Sequence, residues 1–297
     1  MSFKFESKTQ ILLPLYCAAL LGVFYPHVSF AALDRAREAG LTPHKALYEI
    51  KLLSKKSSAK VSNIHGKMFY EWQPSCDAWI TNHRFDVTYE YIEAPAMRIT
   101  SNFSTYEAYD GKSFNFSSER KSEGILLEEI RGSVSVNDNG QVDEAVYTIP
   151  EDLVFDLPEG TLFPMAHTLG VLDKIKNGQK IYSVTLFDGS DNEGPVDVNS
   201  VIGKPRVFKK DDKTTDIKHD IDMAMVNAKG WNIRLAFFPL NTYESASDYE
   251  MSVLFHENGV ISNMEVDYGD FAVTQKLLAV EPLGDACEVH EKQEAEK

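Results

Sequence analysis

Two cysteines, Cys76 and Cys287, are the residues whose chemistry this sequence specifies best. The third cysteine, Cys17, lies in an N-terminal segment that has the layout of a cleaved export signal. Cleavage would leave two cysteines in an oxidising compartment, where thiols usually pair. The sequence therefore predicts a Cys76–Cys287 disulfide, and closing so long a loop would stabilise the fold by about 5 kcal/mol. Unlinked buried thiols are the alternative.

The export signal is predicted over residues 1–31. Lys4 and Lys8 precede an uncharged apolar run at 11–24, and Ser29-Phe30-Ala31 provides small residues at a cleavage site. The apolar run is shorter than the roughly 20 residues that a membrane-spanning helix needs. We expect cleavage near Ala31 and a periplasmic protein that is not integral to the membrane. A retained anchor is the alternative.

Other patterns that could perform catalysis or bind metal are weak. The chain has no Gly-x-Ser-x-Gly elbow, and its histidines lack the spacing of a zinc site. His167 is better explained by a helix face than by a general base. The segment 188–194 resembles a calcium loop but lacks the glycine at its sixth position. We expect no catalytic residue, metal or cofactor, although paired carboxylates of an envelope hydrolase remain an alternative.

The charge balance excludes one class of partner. The formal net charge is −15, and no run of five basic residues offsets it. Such a chain repels nucleic acid and anionic lipid headgroups. We therefore expect no nucleic-acid partner.

Most of the chain reads as strands that could position a binding site. Residues 46–52, 85–91 and 231–237 alternate apolar and polar side chains with a period of two. Residues 249–280 predict a three-strand antiparallel meander with turns at Asn258-Gly259 and Gly269-Asp270. We expect 12 to 15 strands in a mainly β fold, which must curl strongly or close on itself.

One segment has the period of a helix. Met165, Leu169, Leu172 and Ile175 form a single stripe over residues 164–176, and Asn177-Gly178 ends the run. A lone amphipathic helix among strands usually covers an open end of a sheet. We assign 32–287 to a single β domain and 288–297, which has few apolar residues, to a disordered tail.

The aromatic side chains between Phe69 and Tyr91 have two explanations. They could form ordinary core, or they could line an apolar groove that holds acyl chains or apolar peptide segments. The candidate ligand-binding residues in this stretch and on the helix are Trp72, Trp79, Met165, Leu169 and Leu172.

Several linked segments resemble a known family. They are Pro43–Leu52, Gly66–Trp79 with Cys76, Ser104–Gly111, Leu157–Thr168 and Phe187–Ser190. Together they resemble the cell-envelope integrity protein B family, periplasmic proteins of alphaproteobacteria. The resemblance runs from about residue 43 to Cys287.

The resemblance carries further implications for fold and function. It implies a strongly curved, spiral β-sheet that is closed by a helix, with one disulfide between Cys76 and Cys287. It implies a non-enzymatic role in envelope integrity under stress, through a lipid, lipoprotein or periplasmic protein partner. It supplies no catalytic residues.

Overall fold

The computed structural model describes residues 40–136, 142–207, 221–227, 229–240 and 246–284. The predicted export signal, the predicted tail and Cys287 lie outside the described residues, so the predictions that concern them stay predictions. The strands are β1 (His44–Lys55), β2 (Val61–Pro74), β3 (Ala78–Tyr91), β4 (Met97–Ala108), β5 (Ser113–Ser122), β6 (Ile125–Val136), β7 (Val142–Ile149), β8 (Val154–Asp156), β9 (Ile181–Leu186), β10 (Val196–Val207), β11 (Lys229–Pro239), β12 (Tyr249–His256), β13 (Ile261–Asp267) and β14 (Phe271–Pro282). The helices are α1 (Pro164–Lys176) and α2 (Met223–Val226).

All 14 described strands belong to one antiparallel sheet. Its order is β8-β7-β6-β5-β4-β3-β2-β1-β14-β13-β12-β11-β10-β9, so β8 and β9 form its edges. The mainly β fold with a strongly curled sheet is confirmed, as are helix 164–176 and the meander at the end of the chain. Gly259 and Gly269 occupy the two meander turns with φ values of +88° and +82°, which favour glycine.

One face of the sheet forms the inside of the molecule. Tyr48 on β1 pairs with Met68 on β2, which pairs with Phe85 on β3, so these side chains share a face. This face holds the largest apolar cluster, which combines residues of β1–β3, α1 and β10–β14. Strands far apart in the sheet order therefore face one another. The Tyr48 hydroxyl donates to the Ile261 carbonyl at 2.8 Å, across the intervening β14.

The sheet overlaps itself instead of closing. Phe187 follows β9 directly, and its ring lies 5.4 Å from that of Phe116 on β5 and 6.5 Å from that of Tyr147 on β7. The Tyr147 hydroxyl also donates to the Asp191 carbonyl. The end of β9 thus packs inside the β5–β7 flank, where a second, smaller apolar cluster forms. This arrangement is a spiral, and the free edge of β9 pairs only locally, through a parallel bridge between Leu186 and Leu162.

The two ends of the sheet differ. Helix α1 crosses the end where β4 stops and β11 begins, because its first turn meets Glu107 and its last turn shares a cavity with Trp231. We call this the closed end. The turns β1–β2, β3–β4, β5–β6 and β13–β14 lie at the opposite end, and no helix crosses it within the described ranges. We call that the open end.

Candidate functional site

The N-terminus of α1 is anchored by a carboxylate from the sheet. Phe163 is the N-cap residue, and its side chain makes no capping hydrogen bond. Instead, the backbone N–H groups of Met165 and Ala166 donate to the two carboxylate oxygens of Glu107, at 2.8 and 2.9 Å. A negative charge is favourable at a helix N-terminus. Burial nevertheless raises the pKa of Glu107 to about 7, against the opposing effect of the two backbone hydrogen bonds.

The five predicted ligand-binding residues lie in the core at this closed end. Trp72, Trp79, Met165, Leu169 and Leu172 are between 2% and 7% exposed. The rings of Trp72 and Trp79 stack with centroids 5.4 Å apart. Trp79 and Leu169 border a cavity of about 460 Å³, and Leu172 borders another of about 510 Å³. Their side chains mainly fix α1 to the sheet, and a ligand role for them stays a prediction.

An apolar groove lies at the other end of the molecule. It has a volume of about 430 Å³ on the inner face of β3, β4 and β5. Val87 is buried, whereas Phe85, Tyr89, Tyr91, Met97 and Ile99 are each only half-buried. The residues that line it are Phe85, Val87, Tyr89, Tyr91, Met97, Ile99, Ser101, Arg120 and Leu127. We call this set the open-end groove.

The electrostatics of the groove favour an apolar ligand with one anionic group. Burial is the main reason that the pKa of Tyr89 is raised, and the nearby Arg120 guanidinium opposes the shift. Arg120 lies at the groove wall and forms a 3.0 Å ion pair with Glu128. The groove therefore offers aromatic walls and a single cation that an anion could share.

Two polar aromatic side chains continue the inner face beyond the groove. Tyr70 and His83 lie deeper on the same face, paired across β2 and β3 with ring centroids 4.9 Å apart. Both are half-buried, yet burial lowers the pKa of His83 to about 4 and raises that of Tyr70. His83 is thus neutral at pH 7.

The described residues give little support to metal or hydrolytic chemistry. They contain no group of three His, Cys, Asp or Glu side chains that could hold a metal ion. His167 stacks on Tyr182 at 5.8 Å and sits 3.5 Å from the Ser200 hydroxyl. Burial lowers the pKa of His167 to about 4.

One carboxylate pair deserves comparison with a hydrolase site. Burial raises the pKa of Asp191 to about 6, and Asp188 adds to the shift, although Asp191 keeps an exposed surface. Neither residue lines the open-end groove or the two closed-end cavities. The hydrolase alternative therefore gains no support from this pair.

The architecture and the sequence agree with a known family. A sequence profile described as EipB-like matches residues 35–284. The chain belongs to the EipB-like family. A relative of this EipB-like protein is the cell envelope integrity protein EipB of Brucella abortus (strain 2308), with 29% identity over 253 residues. That alignment covers 84% of this chain and 87% of the relative.

A solved structure supports the same assignment. It is the crystal structure of a beta-barrel-like protein of domain of unknown function DUF1849 from Brucella abortus. The TM-score is 0.74 with 28% sequence identity, over 82% of this EipB-like chain and 99% of the solved one. The spiral sheet is therefore shared with an experimentally determined fold.

Three of the segments that carry the family resemblance meet at the closed end of this EipB-like protein. Glu107, from the segment Ser104–Gly111, bonds α1 in the segment Leu157–Thr168. Tyr109 stacks edge-on against Trp79 at 4.7 Å, and its hydroxyl donates to the Ser75 carbonyl beside Cys76. These residues hold the helix to the sheet.

Of the two helices that the structure describes, neither has the length and apolarity needed to cross a bilayer.

Proposed function

We propose that this protein supports the cell envelope by holding the acyl chain of a lipid or lipoprotein in the open-end groove. The groove itself is the observation that carries the proposal. Its half-buried aromatic and aliphatic walls form a pocket of about 430 Å³, within the range of about 300–1,000 Å³ for small-molecule sites. A groove that only completed the core would have its apolar side chains fully buried.

The chemistry of the walls favours binding over catalysis. Aromatic side chains provide large apolar area, and Arg120 provides one cation at the edge. An acyl chain would cover the exposed parts of Phe85, Tyr89 and Tyr91, and burying that area is favourable at about 25 cal/mol per Å². A carboxylate or phosphate on the ligand would approach Arg120. An apolar segment of an envelope protein would use the same walls.

The family membership supports the envelope role. The Brucella abortus relative is named for cell envelope integrity, and the N-terminal pattern of this chain predicts export. We therefore propose a periplasmic location, where lipids and lipoproteins are available as ligands. A mature N-terminus at Ala32, read from protein isolated from cells, would agree with this placement, and an intact N-terminus would contradict it.

Uptake of a fluorescent fatty-acid analogue tests the groove. Ser101 is half-buried on the groove wall, and the neighbouring Asn102 points to the opposite face of β4. Ser101→Trp should fill the groove and weaken uptake about tenfold or more, whereas Asn102→Trp should bind like the parent. Circular dichroism checks that both variants fold. A parent that takes up no analogue, or a folded Ser101→Trp variant with unchanged affinity, would overturn the proposal.

A further inference from the structure

The edge strand β9 presents backbone groups that the sheet does not use. Its even-numbered residues bond to β10, as the bond from the Ile202 N–H to the Lys180 carbonyl shows. The odd-numbered residues therefore point their N–H and C=O groups away from β10. At one end of this edge, the Thr185 carbonyl accepts the N–H of Leu162 and is engaged.

The rest of this edge is open to an added strand. Within the described residues, the backbone groups of Ile181 and Ser183 that point away from β10 have no hydrogen-bond partner, and both residues are exposed. Exposed edge strands usually carry a charged residue or a proline that discourages pairing with another chain. β9 reads Ile-Tyr-Ser-Val-Thr-Leu and contains neither. We call residues 181–183 the β9 edge segment.

The outer face of the edge segment carries an exposed apolar pair. Ile181 lies opposite Val201 of β10, and the two side chains are 70% and 53% exposed. Side chains alternate along a strand, so Ile181 and Ser183 share the face opposite to that of buried Leu186. Apolar side chains of an added strand would cover the Ile181–Val201 pair on this outer face.

The inner face of the edge segment borders the closed-end cavity of about 460 Å³. Tyr182, the middle residue of the segment, lines this cavity together with Gly170 and Lys174 of α1. The Lys174 Nζ lies 5.3 Å from the centroid of the Tyr182 ring. The turn β4–β5 contributes Asp110 to the same wall. The middle side chain of an added strand would therefore point into the cavity.

The charge of the cavity wall favours a basic side chain. Among the residues that line it, Glu107, Asp110 and Asp173 provide carboxyl groups, and Lys174 provides the one cation. The Tyr182 ring adds an aromatic face, which attracts cations. A lysine or arginine entering the cavity is therefore favoured over an acidic residue.

We propose that the β9 edge segment and the closed-end cavity bind an extended segment of another protein with the side-chain pattern apolar–basic–apolar. Its backbone bonds to Ile181 and Ser183, its apolar side chains cover Val201, and its basic side chain enters the cavity beside Tyr182. In this mode of peptide recognition, backbone bonds give affinity and side-chain pockets give specificity. The site lies apart from the open-end groove and does not depend on the proposed function.

Amide resonances of the isotope-labelled protein test the proposal. The probe is the peptide Thr-Val-Arg-Val-Thr, and Thr-Val-Glu-Val-Thr is its matched control. The arginine peptide should shift the amides of Ile181 and Ser183 in a saturable way and leave that of Val154, on the other edge strand, unchanged. The glutamate peptide should bind about tenfold more weakly. Amides at 181 and 183 that ignore millimolar arginine peptide, or equal affinities for the two peptides, would overturn the proposal.

Proline substitutions test the backbone bonds. Ser183→Pro removes an N–H that the sheet does not use, and proline is tolerated at such edge positions. Val154→Pro is the matched control, because Val154 begins β8 and its N–H also points away from the sheet. Ser183→Pro should weaken peptide binding about tenfold or more, whereas Val154→Pro and the conservative Ser183→Thr should bind like the parent. Equal affinities in all three variants would contradict strand addition.

A second measurement keeps the test valid if Ser183→Pro does not fold. Circular dichroism checks the fold of each variant. Ile181→Asp keeps every backbone bond and loses the apolar contact, so it should also weaken binding of the arginine peptide. A folded Ile181→Asp variant with the affinity of the parent would count against the proposed site.

A second copy of the chain is the competing occupant of the edge. If the site takes a peptide of another protein, light scattering should give the parent and Ser183→Pro the same molar mass. A parent dimer that Ser183→Pro dissociates would assign the edge segment to self-pairing and refute the proposal.

Discussion

The carboxylate of Glu107 accepts the backbone N–H of Met165 at 2.8 Å, and this bond joins β4 to the first turn of the only long helix that the structure describes. The second oxygen accepts the N–H of Ala166. Because the N-cap side chain of Phe163 makes no hydrogen bond, the sheet supplies the cap. One buried acid thus caps the helix that covers the closed end.

Removing that acid should destabilise the protein. Glu107→Ala leaves one buried and one partly buried N–H group without an acceptor, and the loss of a buried acceptor costs about 1–3 kcal/mol. We expect the free energy of unfolding to fall by about 2–3 kcal/mol in urea denaturation. Glu144→Ala, an exposed glutamate on β7, is the control and should change it by less than about 0.5 kcal/mol. Equal stabilities of the two variants would refute the anchoring role.

The same acid should make stability depend on pH. The pKa of Glu107 is raised to about 7 in the folded protein, above the ordinary 4.5. The folded state therefore binds the Glu107 proton more tightly than the unfolded state does. The stability that this proton adds is fully present below about pH 4.5 and is lost as the pH rises through about 7. Ionisation should lower the free energy of unfolding by roughly 3 kcal/mol across that window.

The measurement is the difference between parent and Glu107→Gln in denaturation at several pH values. Taking the difference removes the opposite effect of His83, whose lowered pKa makes stability fall as the pH drops from about 6.5 to about 4. The difference should change between pH 4.5 and 7 and be flat above about 8. A flat difference throughout would mean that Glu107 keeps an ordinary pKa.

Truncating Leu172 should unfold or strongly weaken the protein. Leu172 is 2% exposed in the main core, and Leu→Ala at such positions costs about 2–5 kcal/mol. Leu172→Asp should not fold, because it would bury an unpaired charge. Thermal melts of both variants check this. A stable Leu172→Asp protein that has lost fatty-acid uptake would instead assign Leu172 to a ligand site at the closed end.

The disulfide stays a prediction from the sequence. Cys76 follows β2 in the turn that receives the Tyr109 hydroxyl bond, and Cys287 lies outside the described residues. We expect mass spectrometry of the exported protein to find Cys76 and Cys287 linked, and reduction to lower the unfolding midpoint without abolishing the fold. Two free thiols in unreduced material would rule the bond out.

Local signals in the sequence were sufficient for most of the fold. Period-two alternation and turn glycines such as Gly259 predicted the strands, and the stripe from Met165 to Ile175 predicted α1. Both depend on residues close together in the chain. The overlap that places Phe187 against Phe116 depends on the curvature of the whole sheet, which no local pattern encodes.

The candidate site was harder to predict for a physical reason. Core walls and groove walls use the same side chains, so Trp79 and Phe85 look alike in the sequence, although one is buried and the other half-buried. Glu107 was also missed. Its signal was present, because Glu107 has the same alternation parity as Thr105 and Tyr109, while Phe163, the N-cap of α1, is a residue whose side chain cannot cap a helix. A helix without its own cap needs an acceptor from elsewhere.

The most direct measurement of the central claim is a crystal structure of the protein with a brominated fatty acid. The account predicts anomalous scattering from bromine in the open-end groove, between Phe85 and Tyr91, with the carboxylate near Arg120. Bromine in the closed-end cavity bordered by Trp79 and Leu169, or no bound fatty acid at saturating concentration, would contradict it.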